Sequence, residues 1–217
     1  MKRYELLVFD WDGTLVDSAA HIVHSIREAA VDLQLPVPSD AQARHIIGLG
    51  LGDAMAQLFP DLPADGWARV ADRYRYHYLS GESAVALFPG VGEALPALSR
   101  RGHLLAVATG KSRRGLDRAL GMAGLEPVFH ATRCADEGFP KPHPDMLLRL
   151  LEVFGVAPEG ALMIGDTTHD LEMAAAAGVS SLAVTYGAHP AGTLRNAGAL
   201  AALDTPADLF EWLHANA

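Results

Sequence analysis

The sequence predicts an α/β protein: a parallel sheet covered by helices on both faces, carrying an all-helical insertion after its first strand. Three observations predict it. Short, continuously apolar runs recur, and each stops at a polar turn that contains or adjoins glycine. Helix-like stretches alternate with those runs, as the crossovers of a parallel sheet require. Between about 17 and 85 the alternation lapses into consecutive helical patterns without a strand signal. The 217 residues suit one domain with a modest insertion, because domains ordinarily hold ~100–200 residues.

The first run, Leu6-Leu7-Val8-Phe9, is apolar without alternation and reads as a strand buried on both faces. It ends at Asp10-Trp11-Asp12-Gly13-Thr14. Helical patterns follow over Asp17–Leu33, near Asp40–Ile46, over Gly52–Phe59 and over Trp67–Leu79, and the chain returns near Phe88-Pro89-Gly90. A helix over 91–101 leads to a strand at Leu104–Ala108, which stops at Thr109-Gly110. Helices over 112–123 and 143–154 precede the strand Ala161–Ile164, which stops at Gly165-Asp166. The last helix, 168–177, has Gly178 where a C-terminal cap belongs, and Ser181–Val184 is the last strand. The expected division is a core of residues 1–16 and 86–217 and a helical cap of residues 17–85. No internal repeat or low-complexity tract interrupts it. Ligands of such sheets bind outside the carboxyl ends of the strands, where the polar turns fall.

Composition narrows the function. Half the residues are hydrophobic and 20% are charged, which supplies a core and excludes a disordered chain. With 17 Lys and Arg against 26 Asp and Glu, the net charge of -9 argues against bulk binding to nucleic acid or an anionic membrane. No apolar run approaches the ~18 residues of a membrane span. Leu6–Phe9 is too short, and too soon followed by Asp10, for a signal-peptide core. The single cysteine, Cys134, excludes an internal disulfide and a cysteine-rich zinc site, so a reducing cytoplasm is expected. Either a monomer or a homodimer is compatible with these features.

The strand ends carry the chemistry. Asp10 and Asp12 lie two apart in a turn that Gly13 tightens, so both carboxylates can face one site. Two close carboxylates repel unless a cation or proton separates them, which suits a nucleophile beside an acid/base. Asp166 and Asp170 in Gly165-Asp166-Thr167-Thr168-His169-Asp170 are spaced i, i+4 and project from one helix face. Hard oxygen donors with open water positions suit Mg²⁺. A lone aspartate there is ordinarily a turn former or helix cap; three of them, each after a buried strand, are not. At Thr109-Gly110 a hydroxyl and free backbone N–H groups can hold phosphate oxygens. Lys141 sits among three prolines in Phe139-Pro140-Lys141-Pro142-His143-Pro144, on a stiff loop rather than a solvated surface.

Taken in order, Asp10-Trp11-Asp12-Gly13-Thr14, Thr109, Lys141 and Gly165–Asp170 resemble the four motifs of the haloacid dehalogenase superfamily of aspartate-nucleophile phosphatases. The resemblance covers nearly the whole chain. It implies a Rossmann-like three-layer core with a helical cap inserted after the first motif. Asp12 implies a phosphatase, because the dehalogenases of the superfamily lack a carboxylate there and a halide needs no proton. Trp11 departs from the commoner Leu, Phe or Met, which leaves its backbone contacts with substrate unaltered. By the same resemblance Asp10 attacks phosphorus, and Asp12 protonates the leaving alkoxide and then activates water. Mg²⁺ is held by Asp10, the backbone carbonyl of Asp12 and Asp166, with Asp170 bound directly or through water. Thr109 and Lys141 bind the phosphoryl oxygens, Lys141 also restraining Asp10, and Gly110 and Lys111 lie beside the substrate.

The cap would choose the leaving group. Gly48 and Gly50 in His45-Ile46-Ile47-Gly48-Leu49-Gly50-Leu51 resemble the cap loops of phosphoglycolate phosphatases, with Arg44 to receive a second anionic group. An ordinary interhelix turn is the plainer reading of that segment, and a solvated helix face is the plainer reading of Lys111, Arg113 and Arg114. His21 and His24 read as packed or solvated side chains, Arg73–Tyr78 as an amphipathic helix, and Cys134 as structural. The expected partner is a small phosphorylated metabolite, phosphoglycolate first, then other phosphomonoesters or pyrophosphate. A sugar phosphomutase would use the same aspartyl phosphate. A receiver domain also groups aspartates, Thr and Lys around Mg²⁺, but its acidic pair precedes the phosphoacceptor, the reverse of the order here.

Overall fold

The computed structural model describes residues 3–82 and 85–217; Met1 and Lys2, in the basic start, and Ser83 and Ala84, inside the expected insertion, lie outside the described residues. Six parallel strands form one sheet in the order β3-β2-β1-β4-β5-β6. They are β1 (Leu6–Phe9), β2 (Leu104–Thr109), β3 (Ala131–Cys134), β4 (Ala161–Gly165), β5 (Ser180–Val184) and β6 (Ala202–Leu203). The apolar runs became the four central strands, within a residue of their expected ends. The two edge strands escape that reading. β3 is Ala-Thr-Arg-Cys and only partly buried, and β6 is two residues long, so neither has an apolar run to show.

Alternate side chains along each strand enter two separate cores. Leu7, Phe9, Leu105, Val107, Leu162 and Ile164 pack on one face against α5 (Val91–Arg100), α6 (Arg113–Ala123) and α10 (Pro206–Asn216). Leu6, Val8, Ala106 and Met163 pack on the other against α7 (Asp145–Phe154) and α8 (Thr168–Ala176). This is the three-layer arrangement of a doubly wound sheet, and its strand order reverses beside β1. Each fully buried Leu or Ile in these layers contributes on the order of 1.5–3 kcal/mol by leaving water. Two elements went unread in the sequence: the short α9 (Ala191–Arg195) and α10, although Thr205 caps α10 by accepting from the Asp208 N–H at 3.1 Å.

The insertion is helical, as expected: α1 (Ala19–Asp32), α2 (Asp40–His45), α3 (Leu51–Leu58) and α4 (Ala64–Gly81), the last longer than its apolar pattern. These helices bury their own cluster, including Ile22, Ile26, Ile46, Met55 and Tyr78. His21 is a packing residue there, its Nε2–H donating to the Tyr78 carbonyl at 2.8 Å. The chain leaves and re-enters the core side by side, through the Val16–Leu87 bridge and the Asp17 N–H to Ala86 carbonyl bond of 2.9 Å. Among the described residues no helix is long and apolar enough to cross a membrane.

Candidate active site

β1 lies between β2 and β4, with Phe9 in register with Val107 on one side and Ile164 on the other. Three polar turns therefore meet at one edge of the sheet: Asp10–Thr14 after β1, Thr109–Gly110 closing β2, and Asp166 after β4. Gly13 is the residue that permits this approach. Its φ is +81°, and a Cβ there would lie 2.2 Å from Asp166 Oδ2.

Asp10, Asp166 and Asp170 are buried, each offering a carboxylate oxygen within 4.8 Å of the others. Lys141, also buried, places Nζ 2.7 Å from Asp10 Oδ1 and 2.6 Å from Asp170 Oδ1. Asp166 accepts from the Thr14 hydroxyl at 2.8 Å and from the Ala188 N–H at 2.7 Å. Asp170 Oδ2 accepts from the Thr167 hydroxyl at 2.7 Å and from the Thr167 N–H at 3.1 Å, the capping box that opens α8. The N-cap of α8 is Thr167 and not Asp170, which instead supplies the third-position carboxylate of the capping box while belonging to the acidic cluster.

Three buried carboxylates lie around one ammonium, which bridges two of them and leaves the cluster short of positive charge. Burial holds the Asp10 carboxyl well above the usual carboxylate range, against the pull of Lys141. Burial, then the Asp170 charge, pushes Asp166 up to about 7. Asp10 Oδ2 is buried and has no hydrogen-bond partner among the described residues. An all-oxygen donor set and missing positive charge together fit a hard divalent cation such as Mg²⁺.

Two consequences are measurable. In EDTA, the stability that Asp166 contributes as a neutral acid is present below about 4 and lost as pH rises through about 7. Asp166→Asn is therefore expected to be the more stable protein at pH 8 and close to wild type at pH 4. Mg²⁺ is expected to raise the thermal midpoint of wild type at pH 8 and not that of the variant. An equal rise in both would remove Asp166 from the cation site.

Asp12 is held separately. Its two carboxylate oxygens meet the Ser18 hydroxyl at 2.7 Å and Lys111 Nζ at 3.1 Å. Lys111 also donates to the Tyr78 hydroxyl at 3.0 Å, and its Nζ lies 4.6 Å from that ring's centroid. Burial works to lower the Lys111 pKa, but Asp12, Tyr78 and Tyr74 outweigh it and keep the lysine protonated. The Thr109 hydroxyl accepts the Lys111 backbone N–H at 3.2 Å, which ties the end of β2 to this lysine.

A cavity of about 730 Å³ opens between core and cap, with Asp10, Asp12, Thr109, Gly110 and Lys111 on its core side and Gly48 and Gly50 on its cap side. Lys141, Asp166 and Asp170 are not on its wall; Lys141 instead bridges Asp10 and Asp170. One expected substrate residue falls elsewhere. Arg44, half-buried at the end of α2, does not line the cavity. The Trp11 side chain is buried in the core, its ring edge-on to Phe129 at 6.5 Å, because the apolar indole follows its neighbours out of water. Cys134 is buried at the end of β3, its thiol pushed up to about 12 by burial, in keeping with a structural role.

The cap loop is pinned by residues that the motifs did not single out. The His45 carbonyl accepts from His169 Nε2 at 2.8 Å and from His189 Nε2 at 3.0 Å. His189 Nδ1 accepts the Thr168 N–H at 3.1 Å, so this ring is the neutral Nε2–H tautomer; burial, then His169, lowers its pKa to about 4. Thr14, Ser18 and Tyr78 were missed as well. Thr14 stands in the first acidic motif and Ser18 just after it, but nothing local names their partners. Gly110 is where the loop presses closest: a Cβ there would lie 2.4 Å from the Leu49 carbonyl oxygen and 2.6 Å from that of Gly48. Gly110→Ala is expected to lift the loop and lower kcat/KM about a hundredfold, since misplacement of ~1 Å costs that much. Unchanged kinetics would show that the loop does not shape the site.

Fold and site together define a capped α/β protein with a buried acidic cluster, suited to a cation, at the carboxyl edge of a parallel sheet. Residues 7–184 match the model of the haloacid dehalogenase-like hydrolases, and the chain belongs to that family. It is 36% identical over 216 residues to "Probable phosphatase IndB" of Dickeya dadantii, a match covering 97% of this chain and 94% of that one. It is 31% identical over 197 residues to "Phosphoglycolate phosphatase" of Mannheimia succiniciproducens, covering 86% and 88%. The crystal structure of a predicted phosphoglycolate phosphatase from Haemophilus somnus superposes with a TM-score of 0.85 at 27% identity, covering 97% of this chain and 98% of that one.

Proposed function

We propose that this protein is a Mg²⁺-dependent phosphatase that hydrolyses a phosphomonoester through an aspartyl phosphate on Asp10. The observation that carries the reading is Asp10 itself: it lines the cavity with one oxygen fixed by Lys141 and the other unpartnered. Mg²⁺ would be held by Asp10, Asp166 and the Asp12 backbone carbonyl, with Asp170 direct or through water, and would supply the positive charge that lets two anions meet.

The chain's own residues do the rest. The free Asp10 oxygen forms a bond to phosphorus as the bond to the leaving oxygen breaks. Asp12 gives that oxygen a proton, so that the alcohol departs and Asp12 is left as carboxylate. It then takes a proton from the water that attacks the aspartyl phosphate, which frees Asp10 and inorganic phosphate. Thr109 and the Gly110 N–H sit on the wall to receive the phosphoryl oxygens, while Lys141 aims Asp10 and offsets its charge. The cap, residues 17–85, selects the leaving group.

The test is para-nitrophenyl phosphate with Mg²⁺ and an EDTA control. Metal-dependent, repeated turnover supports the reading, whereas a single slow phosphorylation would favour a receiver-like protein. Phosphoglycolate as the substrate is supported by the names of several relatives. The cationic cap residue expected to receive its carboxylate, Arg44, is not on the cavity wall.

A further inference from the structure

We infer that the preferred substrate is a phosphomonoester whose leaving alcohol carries a ring-sized, uncharged, apolar body; this rests on the phosphatase reading above. The cavity that contains Asp10 and Asp12 continues into the cap. Its volume of about 730 Å³ falls in the ~300–1,000 Å³ range that encloses drug-sized ligands. A two-carbon acid would leave most of that space to water.

The cap side of the cavity combines an apolar stretch with charged residues, Asp53, Asp72, Arg75 and Glu82. Ile22 and Ile26, one turn apart on α1, lie along it with Ile46 and with Met55 of α3. Tyr74 and Tyr78, one turn apart on α4, form an aromatic strip with ring centroids 5.7 Å apart and planes inclined at 38°. A flat or saturated ring leaving water against such a wall gains free energy, whereas a carboxylate there loses its hydration.

The cations that would compensate a carboxylate are mostly taken. Lys111 holds Asp12 at 3.1 Å, Arg75 holds Asp72 at 2.6 Å and Arg118 holds Glu82 at 2.5 Å. Arg114 is the remaining cation on the wall without an acidic partner among the described residues; it is exposed on α6, and its charge is solvated. The reacting end thus suits a phosphate, and the isoleucine, methionine and tyrosine stretch beyond it suits an apolar body.

The test compares 2-phenylethyl phosphate, ethyl phosphate and phosphoglycolate, all alkyl esters, so that an activated aryl leaving group does not decide the ranking. With Mg²⁺, kcat/KM for 2-phenylethyl phosphate is expected to exceed both others by at least about tenfold, the scale of one well-buried apolar group. Tyr74→Ala is expected to narrow the ratio of 2-phenylethyl to ethyl phosphate about tenfold, chiefly through KM. Fastest turnover of phosphoglycolate, above all if Arg114→Gln removes that preference, overturns the inference and leaves the phosphatase reading standing. No turnover of any ester overturns both.

Discussion

Asp10→Asn is expected to lower phosphomonoester turnover in Mg²⁺ by about 10⁴-fold or more, with no loss of fold. The amide has the shape of the carboxylate but cannot attack phosphorus, and without the covalent step the displacement falls to an unassisted water. Stability should move the other way or not at all. Burial and the two neighbouring carboxylates penalise the Asp10 charge, and Lys141 retains Asp170 as a partner at 2.6 Å. In EDTA the thermal midpoint of the variant should therefore equal or exceed that of wild type. Phosphate release measures the first effect and thermal denaturation the second. Undiminished hydrolysis by a well-folded variant would sink Asp10 as the nucleophile.

Lys141→Met is expected to give the largest loss of stability, on the order of 3–5 kcal/mol in the absence of metal. Methionine fills similar volume, so packing is nearly kept, but the buried carboxylates of Asp10 and Asp170 lose their shared ammonium. For a chain of this length such a loss corresponds to a fall of roughly 6–20 °C in thermal midpoint. The loss should shrink at acid pH, because burial raises the Asp10 carboxyl well above the usual carboxylate range and favours its neutral form. Adding Asp170→Asn should recover part of it by removing one stranded charge. Denaturant midpoints of the single and double variants at pH 5 and pH 8 test this. A single variant as stable as wild type at pH 8 would mean that the three carboxylates do not depend on Lys141.

Part of this site was legible along the chain without the fold. Asp10, Asp12 and Asp166 were, because a buried strand ending in an acidic turn is a local pattern: continuous apolarity, then a residue that must face water or a cation. Asp170 was legible as an i+4 partner of Asp166; the helix cap expected of a lone aspartate there is Thr167, with Asp170 closing its capping box by local geometry alone. Thr14 was not. Its hydroxyl meets a carboxylate 152 residues away, and the contact exists only because β1 and β4 are paired in register. Nor were Arg44 and the tyrosines of α4 placed correctly. Charge made Arg44 conspicuous and amphipathic spacing made Tyr74 and Tyr78 look like packing, yet the cavity wall includes both tyrosines and excludes the arginine.

The sequence by itself determined the alternation of strand and helix, the helical insertion after β1 and the chemistry at the strand ends. Those follow from signals that act within a few residues: burial period, turn composition and helix caps. A net charge of -9 excluded polyanionic partners, while the local placement of Lys141 and Lys111 remained hidden in that total. Only the tertiary structure decided that one lysine bridges Asp10 and Asp170, that two histidines hold the cap loop by a single carbonyl, and that Tyr74 and Tyr78 line the cavity that contains Asp10. These are meetings of residues tens of positions apart, and sheet register and helix packing bring them together where no local pattern along the chain records them.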